Sequence, residues 1–189
     1  MSKTIYNTPI LLGVVAILCR FFLKIIGWKL QGEPPLESKY VLVAAPHTSN
    51  WDFPLGLAIM IVYRLEIRWM GKETLFKGWR GPFMKWLGGI PVNRSSANNM
   101  VAQTIDTYNS NESFVVAIPP EGTRSKVERW KTGFYYIAVG ADVPIALGFL
   151  DYKCKKGGFL STWYPTGDIE KDIAGIQSCY AEVSGKYAE

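Results

Sequence analysis

The sequence predicts a single α/β domain with a largely parallel central sheet flanked by helices, preceded by an N-terminal membrane-associated helix. Short apolar runs of strand length alternate with longer segments of helical spacing, a pattern typical of parallel sheets. The 189 residues suit one domain with a sizeable core. Hydrophobic residues make up 48% of the chain, which excludes a disordered protein. We expect residues 1–31 to form the N-terminal helical segment and residues 32–189 the domain.

The N-terminal segment is apolar or small from Pro9 to Cys19, and then Arg20 and Lys24 interrupt it. A membrane-spanning helix needs about 20 mostly apolar residues. The charges at Arg20 and Lys24 leave an apolar run that is shorter than this. The pattern predicts a helix that dips into one leaflet or lies at the interface, with Trp28 at headgroup level. The alternative is an amphipathic helix that packs on the domain itself. The segment lacks a small-x-small cleavage site, so we do not expect a removable signal peptide.

The other elements follow from apolar patterning and from turn residues. Proline and glycine at residues 32–35 indicate a linker, and the helix predicted at residues 98–108 carries Val101, Ile105 and Tyr108 on one face. The run at residues 114–118 is short, apolar and β-branched, which is typical of a buried strand. Strands are predicted at residues 40–45, 67–70, 89–92, 114–118 and 143–149, and helices at residues 53–63, 98–108 and 134–140.

His47, the single histidine, lies between the first predicted strand and the following helix, with Asp52 five positions later. An imidazole can move a proton near neutral pH, and a carboxylate can fix its tautomer. On a continuous helix, residues five apart point roughly 140° away from each other, so the pair cooperates only if His47 lies in the turn. Residues 48–50, Thr-Ser-Asn, are types that cap such a turn. The alternative for a lone histidine is a capping or core role.

Three further motifs follow in order along the chain. They read Gly-Ile-Pro-Val-Asn-Arg at residues 89–94, Pro-Glu-Gly-Thr-Arg-Ser at residues 120–125 and Val-Pro-Ile at residues 143–145. Together with the His-x4-Asp pattern, they resemble the four ordered motifs of the glycerolipid acyltransferases, the family of bacterial 1-acylglycerol-3-phosphate acyltransferases. The resemblance covers most of the chain except its two ends, and it implies that residues 32–189 form an acyltransferase domain.

The resemblance implies transfer of a fatty acyl group from acyl-CoA or an acyl carrier protein thioester to the hydroxyl of a lysophospholipid, with 1-acylglycerol-3-phosphate as the expected acceptor. His47 would act as the general base and Asp52 would orient it. The sequence lacks a Gly-x-Ser-x-Gly elbow, so we expect direct transfer without an acyl-enzyme. We expect no cofactor beyond the thioester co-substrate. The three cysteines form no CxxC pair, so we expect reduced thiols and no metal site.

The resemblance also assigns substrate-binding roles. In the family, the arginines that match Arg94 and Arg124 bind the acceptor phosphate, which suits guanidinium forks. The glutamate that matches Glu121 contacts the acceptor backbone. We carry these roles to the substrate-binding set Lys72, Arg94, Glu121, Gly122, Thr123 and Arg124. The alternative for each basic residue is a surface salt bridge.

Charge and aromatic patterning bear on the partners. A net charge of +5 and a pI near 9.0 favour anionic partners. The stretch at residues 75–87 interleaves large aromatics with Lys and Arg, which suits a lipid interface. It lacks any RNA-module motif, so we expect membrane lipids and no nucleic acid. We expect the protein on the cytoplasmic face of the inner membrane, as a peripheral or monotopic protein.

Some positions depart from the family pattern. Pro46 stands where asparagine is common, Pro119 where phenylalanine is common, and Asn93 where an acidic residue is common. None of these removes a catalytic group, but they leave the acceptor open, with lyso-ornithine lipid, another lysophospholipid or a different amphiphilic alcohol as alternatives. A non-catalytic membrane-binding protein that kept the fold is the second hypothesis. The third hypothesis is a hydrolase that uses the same histidine to cleave a thioester. The fourth is a basic protein that binds nucleic acid.

Overall fold

A computed structural model describes residues 4–92, 97–124, 127 and 129–187, with the backbone alone for residues 97–99. The strands among the described residues join in one sheet of seven strands. They are β1 (Lys29–Gln31), β2 (Lys39–Ala45), β3 (Ile67–Lys72), β4 (Gly89–Val92), β5 (Phe114–Ile118), β6 (Ile145–Asp151) and β7 (Lys156–Trp163).

The sheet is largely parallel, as the sequence predicts. Its order is β1-β7-β6-β2-β5-β3-β4, and the strands from β6 to β4 all run parallel to one another. β7 runs antiparallel to β6, and β1 runs parallel to β7. The central strands are in close register, since Val41 of β2 lies opposite Val116 on one side and Ile145 on the other. The carboxyl ends of β2, β3, β5 and β6 therefore meet at one edge, where open α/β sheets bind ligands.

Helices cover both faces of the sheet. They are α1 (Pro9–Ile25), α2 (Asp52–Val62), α3 (Arg80–Trp86), α4 (Ala97–Asn109), α5 (Gly133–Gly140) and α6 (Ile169–Ser178), with 3₁₀ turns at Ile5–Asn7 and Glu73–Phe76. On one face, α1 and α2 bury Leu23 and Ile59 against Leu42. On the other face, α4, α5 and α6 cover Val43 and Val116. Alternate residues of β2 thus point into two separate cores, as the pleat requires.

The helix α1 packs on the domain by one face and leaves an apolar face uncovered. Ala16 and Leu23 are buried, and α1 contacts α2. The opposite side forms an exposed stripe of large apolar side chains at helical spacing: Ile10, Val14, Ile17, Leu18, Phe21 and Ile25. Within the described part of the chain, no helix reaches the length and apolar character that crossing a membrane requires.

Four elements were not predicted from the sequence: β1, β7, α3 and α6. β1 is three exposed residues and exists because it pairs with β7. β1 lies within residues 1–31, the segment predicted as N-terminal helix, and it joins the sheet. The boundary proposed between residues 31 and 32 stays a prediction. The linker predicted at residues 32–35 does lie outside the strands, between β1 and β2.

Candidate active site

The site is assembled at the carboxyl edge of the parallel strands. His47 follows β2 by two residues, Glu121 follows β5 by three, and Lys72 ends β3. The residue directly after β6, Tyr152, lies there too and touches Asp52. Arg94 falls outside the described residues, so its position in the site stays a prediction.

His47 lies in the turn between β2 and α2, and Asp52 is the first residue of α2. The ring Nδ1 lies 3.0 Å from Asp52 Oδ2. This is the arrangement in which a turn histidine meets a carboxylate of the first helical turn. Because an ionised carboxylate can only accept hydrogen bonds, Nδ1 carries the proton and Nε2 keeps its lone pair. The His47 side chain is 23% exposed and lines a cavity, so substrate can reach that lone pair.

Several donors converge on the Asp52 carboxylate. The backbone N–H groups of Thr48 and Ser49 each donate to Oδ2 at 2.8 Å, and the Tyr152 hydroxyl donates to Oδ1 at 2.6 Å. Burial alone would raise the pKa of Asp52, but the hydrogen bonds from His47, Tyr152 and the Ser49 backbone outweigh burial, so this pKa lies below its ordinary value. Asp52 is therefore an anion throughout the neutral range.

The expected capping of α2 by the turn residues 48–50 is wrong, because the N-cap residue is Trp51 and it makes no side-chain cap hydrogen bond. The buried Ser49 hydroxyl oxygen accepts the Trp51 N–H at 3.1 Å. The Thr48 hydroxyl oxygen accepts the N–H groups of Lys186 and Tyr187 in the C-terminal segment. Both hydroxyls thus bind backbone groups beside the site. The cysteines are free thiols, and none of them lines the cavity.

Glu121 links the Pro-Glu-Gly-Thr-Arg-Ser motif to the His47 turn. Its Oε1 accepts the His47 backbone N–H at 3.2 Å, while Oε2 is buried and has no hydrogen-bond partner among the described residues. Burial raises the pKa of Glu121 above its ordinary value; hydrogen bonds from its own backbone and from His47 act in the other direction, and the Asp52 charge adds to the rise. The free oxygen leaves this carboxyl with an unused capacity to bind a polar ligand group.

The other members of the predicted substrate-binding set that the structure describes lie at the end of β3 or in the connection after β5. Gly122 adopts a φ of +65°, which glycine tolerates and other residues strain to reach. Thr123 and Arg124 are exposed, and Arg124 and Lys72 both line the cavity. The structure therefore brings Lys72, Glu121 and Arg124 to the same edge as His47.

An apolar cavity of about 580 Å³ extends from His47 between α2 and the sheet. Its walls are mostly aliphatic and aromatic, and they include Leu42, Leu57, Ile59, Trp69 and Leu150. Gly56 of α2 also lines it, and a Cβ atom built on Gly56 meets nothing within 4 Å. The cavity thus leads an apolar ligand directly to the imidazole.

The described residues include no group of three His, Cys, Asp or Glu side chains that could hold a metal ion.

The cavity mouth adjoins the aromatic and cationic stretch predicted for a lipid interface. Leu75 and Met84 line the cavity, while Trp79 and Phe83 are exposed, and Arg80 lies 5.4 Å from the Trp79 ring. Trp86 of α3 packs on the cluster that includes Ala16 of α1, so α3 lies near α1.

Comparison with known proteins gives two matches. The family model described as Acyltransferase matches residues 28–146. The crystal structure of the 1-acyl-sn-glycerophosphate (LPA) acyltransferase PlsC from Thermotoga maritima has a similar fold, with a TM-score of 0.59 and 18% sequence identity over 93% of this chain and 82% of that chain. The comparison with curated proteins gives no match. The family match includes the His47 turn and the Glu-Gly-Thr-Arg turn.

Proposed function

This chain belongs to the acyltransferase family, and on that premise we propose that it moves a fatty acyl group from an acyl thioester to the hydroxyl of a lysophospholipid, with 1-acylglycerol-3-phosphate as the expected acceptor. The observation that carries the proposal is the His47–Asp52 pair at 3.0 Å, at the mouth of an apolar cavity large enough for an acyl chain. The donor is acyl-CoA or an acylated acyl carrier protein, and no other cofactor takes part.

The reaction proceeds by direct attack. The acceptor hydroxyl gives its proton to His47 Nε2 while its oxygen bonds to the thioester carbonyl carbon, which supplies the nucleophile that an unassisted alcohol lacks at neutral pH. Asp52 stabilises the imidazolium that forms. The tetrahedral intermediate then expels the thiolate, which takes the proton from the imidazolium. The products are a diacyl lipid and a free thiol, and His47 is neutral again.

The acceptor identity is tested with purified protein, radiolabelled palmitoyl-CoA and a panel of acceptors. The panel holds 1-acylglycerol-3-phosphate, other lysophospholipids, lyso-ornithine lipid and a monoacylglycerol that lacks phosphate. We expect labelled phosphatidic acid from 1-acylglycerol-3-phosphate at the highest kcat/KM. Faster acylation of lyso-ornithine lipid would replace the acceptor and leave the transferase chemistry standing. An acylated acyl carrier protein takes the place of palmitoyl-CoA in a parallel series.

Arg124 is proposed to bind the acceptor phosphate, and its loss is expected to raise KM for that acceptor. A charge-assisted pair contributes on the order of 1.5–3 kcal/mol, so Arg124→Gln should raise KM for 1-acylglycerol-3-phosphate roughly 10- to 100-fold. KM for the monoacylglycerol should not change. The matched control is Arg129→Gln, an exposed arginine in the same β5–α5 connection that does not line the cavity. Equal effects on both acceptors would rule out phosphate recognition by Arg124.

The cavity is proposed to hold the acyl chain, and Gly56 then sets how much chain fits. Gly56→Leu places four carbon atoms where a Cβ meets open space. Each methylene left unburied costs about 0.8 kcal/mol, so we expect kcat/KM for palmitoyl donors to fall at least tenfold relative to octanoyl donors. Gly56→Ala is the control, because it changes helix propensity and adds one methyl only. An unchanged chain-length profile in Gly56→Leu would place the acyl chain elsewhere.

Membrane association is proposed through the exposed stripe of α1 and the neighbouring α3, at the cytoplasmic face of the inner membrane. The double change Ile17→Asp and Phe21→Asp replaces two exposed apolar side chains with charges. Sedimentation with anionic vesicles should show at least a tenfold weaker partition, since each such side chain contributes about 1.5–3 kcal/mol when buried. Val139→Asp is the control, an exposed apolar residue of α5 on the opposite face of the sheet. Equal loss in both variants would argue against this surface.

A further inference from the structure

We propose that Tyr152 is a positioning residue for acyl transfer: its hydroxyl holds the Asp52 carboxylate in the orientation that fixes the His47 ring. For its kinetic consequence the inference rests on the proposed function. Tyr152 belongs to none of the four motifs and lies 100 positions after Asp52. It reaches the site because β6 ends at the same edge of the sheet as β2.

The two oxygens of the Asp52 carboxylate have separate partners. Oδ2 accepts from His47 Nδ1 and from two backbone N–H groups of the turn, whereas Oδ1 accepts from the Tyr152 hydroxyl at 2.6 Å. The three bonds to Oδ2 restrain rotation about the Cβ–Cγ bond from one side of the carboxylate. The bond to Oδ1 holds the second oxygen as well, and a short hydrogen bond to an ionised acceptor is of the stronger kind.

Tyr152 is itself held in place by three parts of the chain. It directly follows β6, and its backbone N–H donates to the Ser184 carbonyl at 2.9 Å. Its ring meets the Trp28 ring edge to face, with centroids 5.1 Å apart and an interplanar angle of 88°. Trp28 is buried just after α1. The hydroxyl therefore sits on rigid support, which a positioning group requires.

The charge state of the phenol suits a donor. Burial raises the pKa of Tyr152 well above its ordinary value, and the hydrogen bond to Asp52 and the nearby Tyr187 act in the same direction. Glu121 is a further acidic group near Asp52, and the Asp52 charge raises the pKa of Glu121. The phenol therefore stays protonated throughout the neutral range, in which Asp52 is ionised, and it donates its hydrogen bond there.

The test uses the fact that His47 is the only histidine of the chain, so its imidazole nitrogen signals need no assignment when the protein carries a tag without histidine. In ¹⁵N spectra of the wild type we expect one protonated Nδ1 and one unprotonated Nε2. In Tyr152→Phe the two shifts should move toward each other, as the second tautomer becomes populated. Tyr152→Phe keeps the ring against Trp28, and circular dichroism checks the fold.

The matched control is Tyr63→Phe. The Tyr63 side chain is also half-buried, packs edge to face on an aromatic ring (Phe159) and donates a 2.7 Å hydrogen bond, but to the Gly32 carbonyl instead of Asp52. The imidazole signals of this control should match those of the wild type. Equal displacement in both variants would overturn the proposal, because a general loosening of the fold would then explain it.

Kinetics give the second readout. With Tyr152→Phe we expect kcat to fall about tenfold while KM for donor and acceptor stays within twofold, because the hydroxyl acts on the base and not on substrate. Unchanged imidazole signals, or changed signals with an unchanged kcat, would overturn the proposal. If the wild type transfers no acyl group to any acceptor, the proposed function fails, and the imidazole signals still decide whether Tyr152 holds the pair.

Discussion

The His47→Ala variant is expected to lose acyl transfer by on the order of 10³-fold in kcat, the largest effect of any single change in this chain. His47 supplies the only imidazole in the sequence, so no neighbouring histidine can replace it. His47 lines the cavity, and its Nδ1 faces Asp52, so Nε2 is the nitrogen that would take the proton of the attacking hydroxyl in the proposed mechanism. The measurement is labelled diacyl lipid formed per enzyme at saturating donor and acceptor.

Vesicle sedimentation and thermal unfolding serve as controls for His47→Ala. Vesicle sedimentation should match the wild type, because His47 does not belong to the exposed stripe of α1. Thermal unfolding should show only a small decrease, because Asp52 keeps its hydrogen bonds from Thr48, Ser49 and Tyr152. A variant that keeps kcat within a few-fold of the wild type would remove His47 as the general base. If no other residue accounted for turnover, the hypothesis of a non-catalytic, membrane-binding protein would then be favoured.

The Asp52→Asn variant is expected to show the second largest loss, on the order of 10²-fold in kcat, because it weakens the general base without removing it. Asparagine keeps the shape of the side chain and removes the charge that stabilises the imidazolium. Its amide also lets the imidazole adopt the tautomer with the proton on Nε2, where the base needs a lone pair. KM should change little, because Asp52 faces His47, Tyr152 and the turn. An activity within threefold of the wild type would contradict this role.

Asp52 should also contribute to stability in a pH-dependent way. Its pKa is lower in the folded chain than its ordinary value, so its ionised form favours folding above the unfolded pKa of about 3.9 and this contribution is lost as the pH falls. At pH 7 the Asp52→Asn variant should therefore unfold at a lower temperature than the wild type, and the difference should shrink toward pH 3. Asp106→Asn, at an exposed carboxylate on α4, is the control and should show neither effect.

Much of the fold followed from apolar patterning because the central strands are buried on both faces. β2, β5 and β6 are largely apolar runs. This pattern is typical of parallel strands that are buried between two layers of helices. The His47 turn could be placed for the same reason, since it lies between such a run and an apolar helix. The family resemblance drawn from the four motifs is confirmed by the family match over residues 28–146.

The missed elements have weaker local signals. β7 begins Lys-Gly-Gly and lies near the sheet edge, so its pairing with β6 depends on tertiary contacts more than on its own residues. β1 is too short to show a period. The helix α6 did carry a usable signal, since Ile169, Ile173 and Ile176 recur at helical spacing and pack against the core.

The candidate site was predictable where chemistry lies within one motif. His47 and Asp52 are five residues apart, and the turn geometry that unites them follows from helix periodicity. Tyr152 could not be predicted in this way, because only the parallel pairing of β6 with β2 brings it to Asp52. The apolar cavity could not be predicted from the sequence either, because α2 and several strands together form its walls.

The most direct measurement of the central claim follows two products in one reaction. Purified wild-type protein receives radiolabelled palmitoyl-CoA and 1-acylglycerol-3-phosphate, and the free thiol and the labelled diacyl lipid are counted together. Direct general-base transfer predicts equal amounts of both, formed only when acceptor is present. Thiol release without labelled lipid would identify a hydrolase, and the absence of both products with CoA and acyl carrier protein donors would contradict the assignment of an acyltransferase activity to the His47–Asp52 pair.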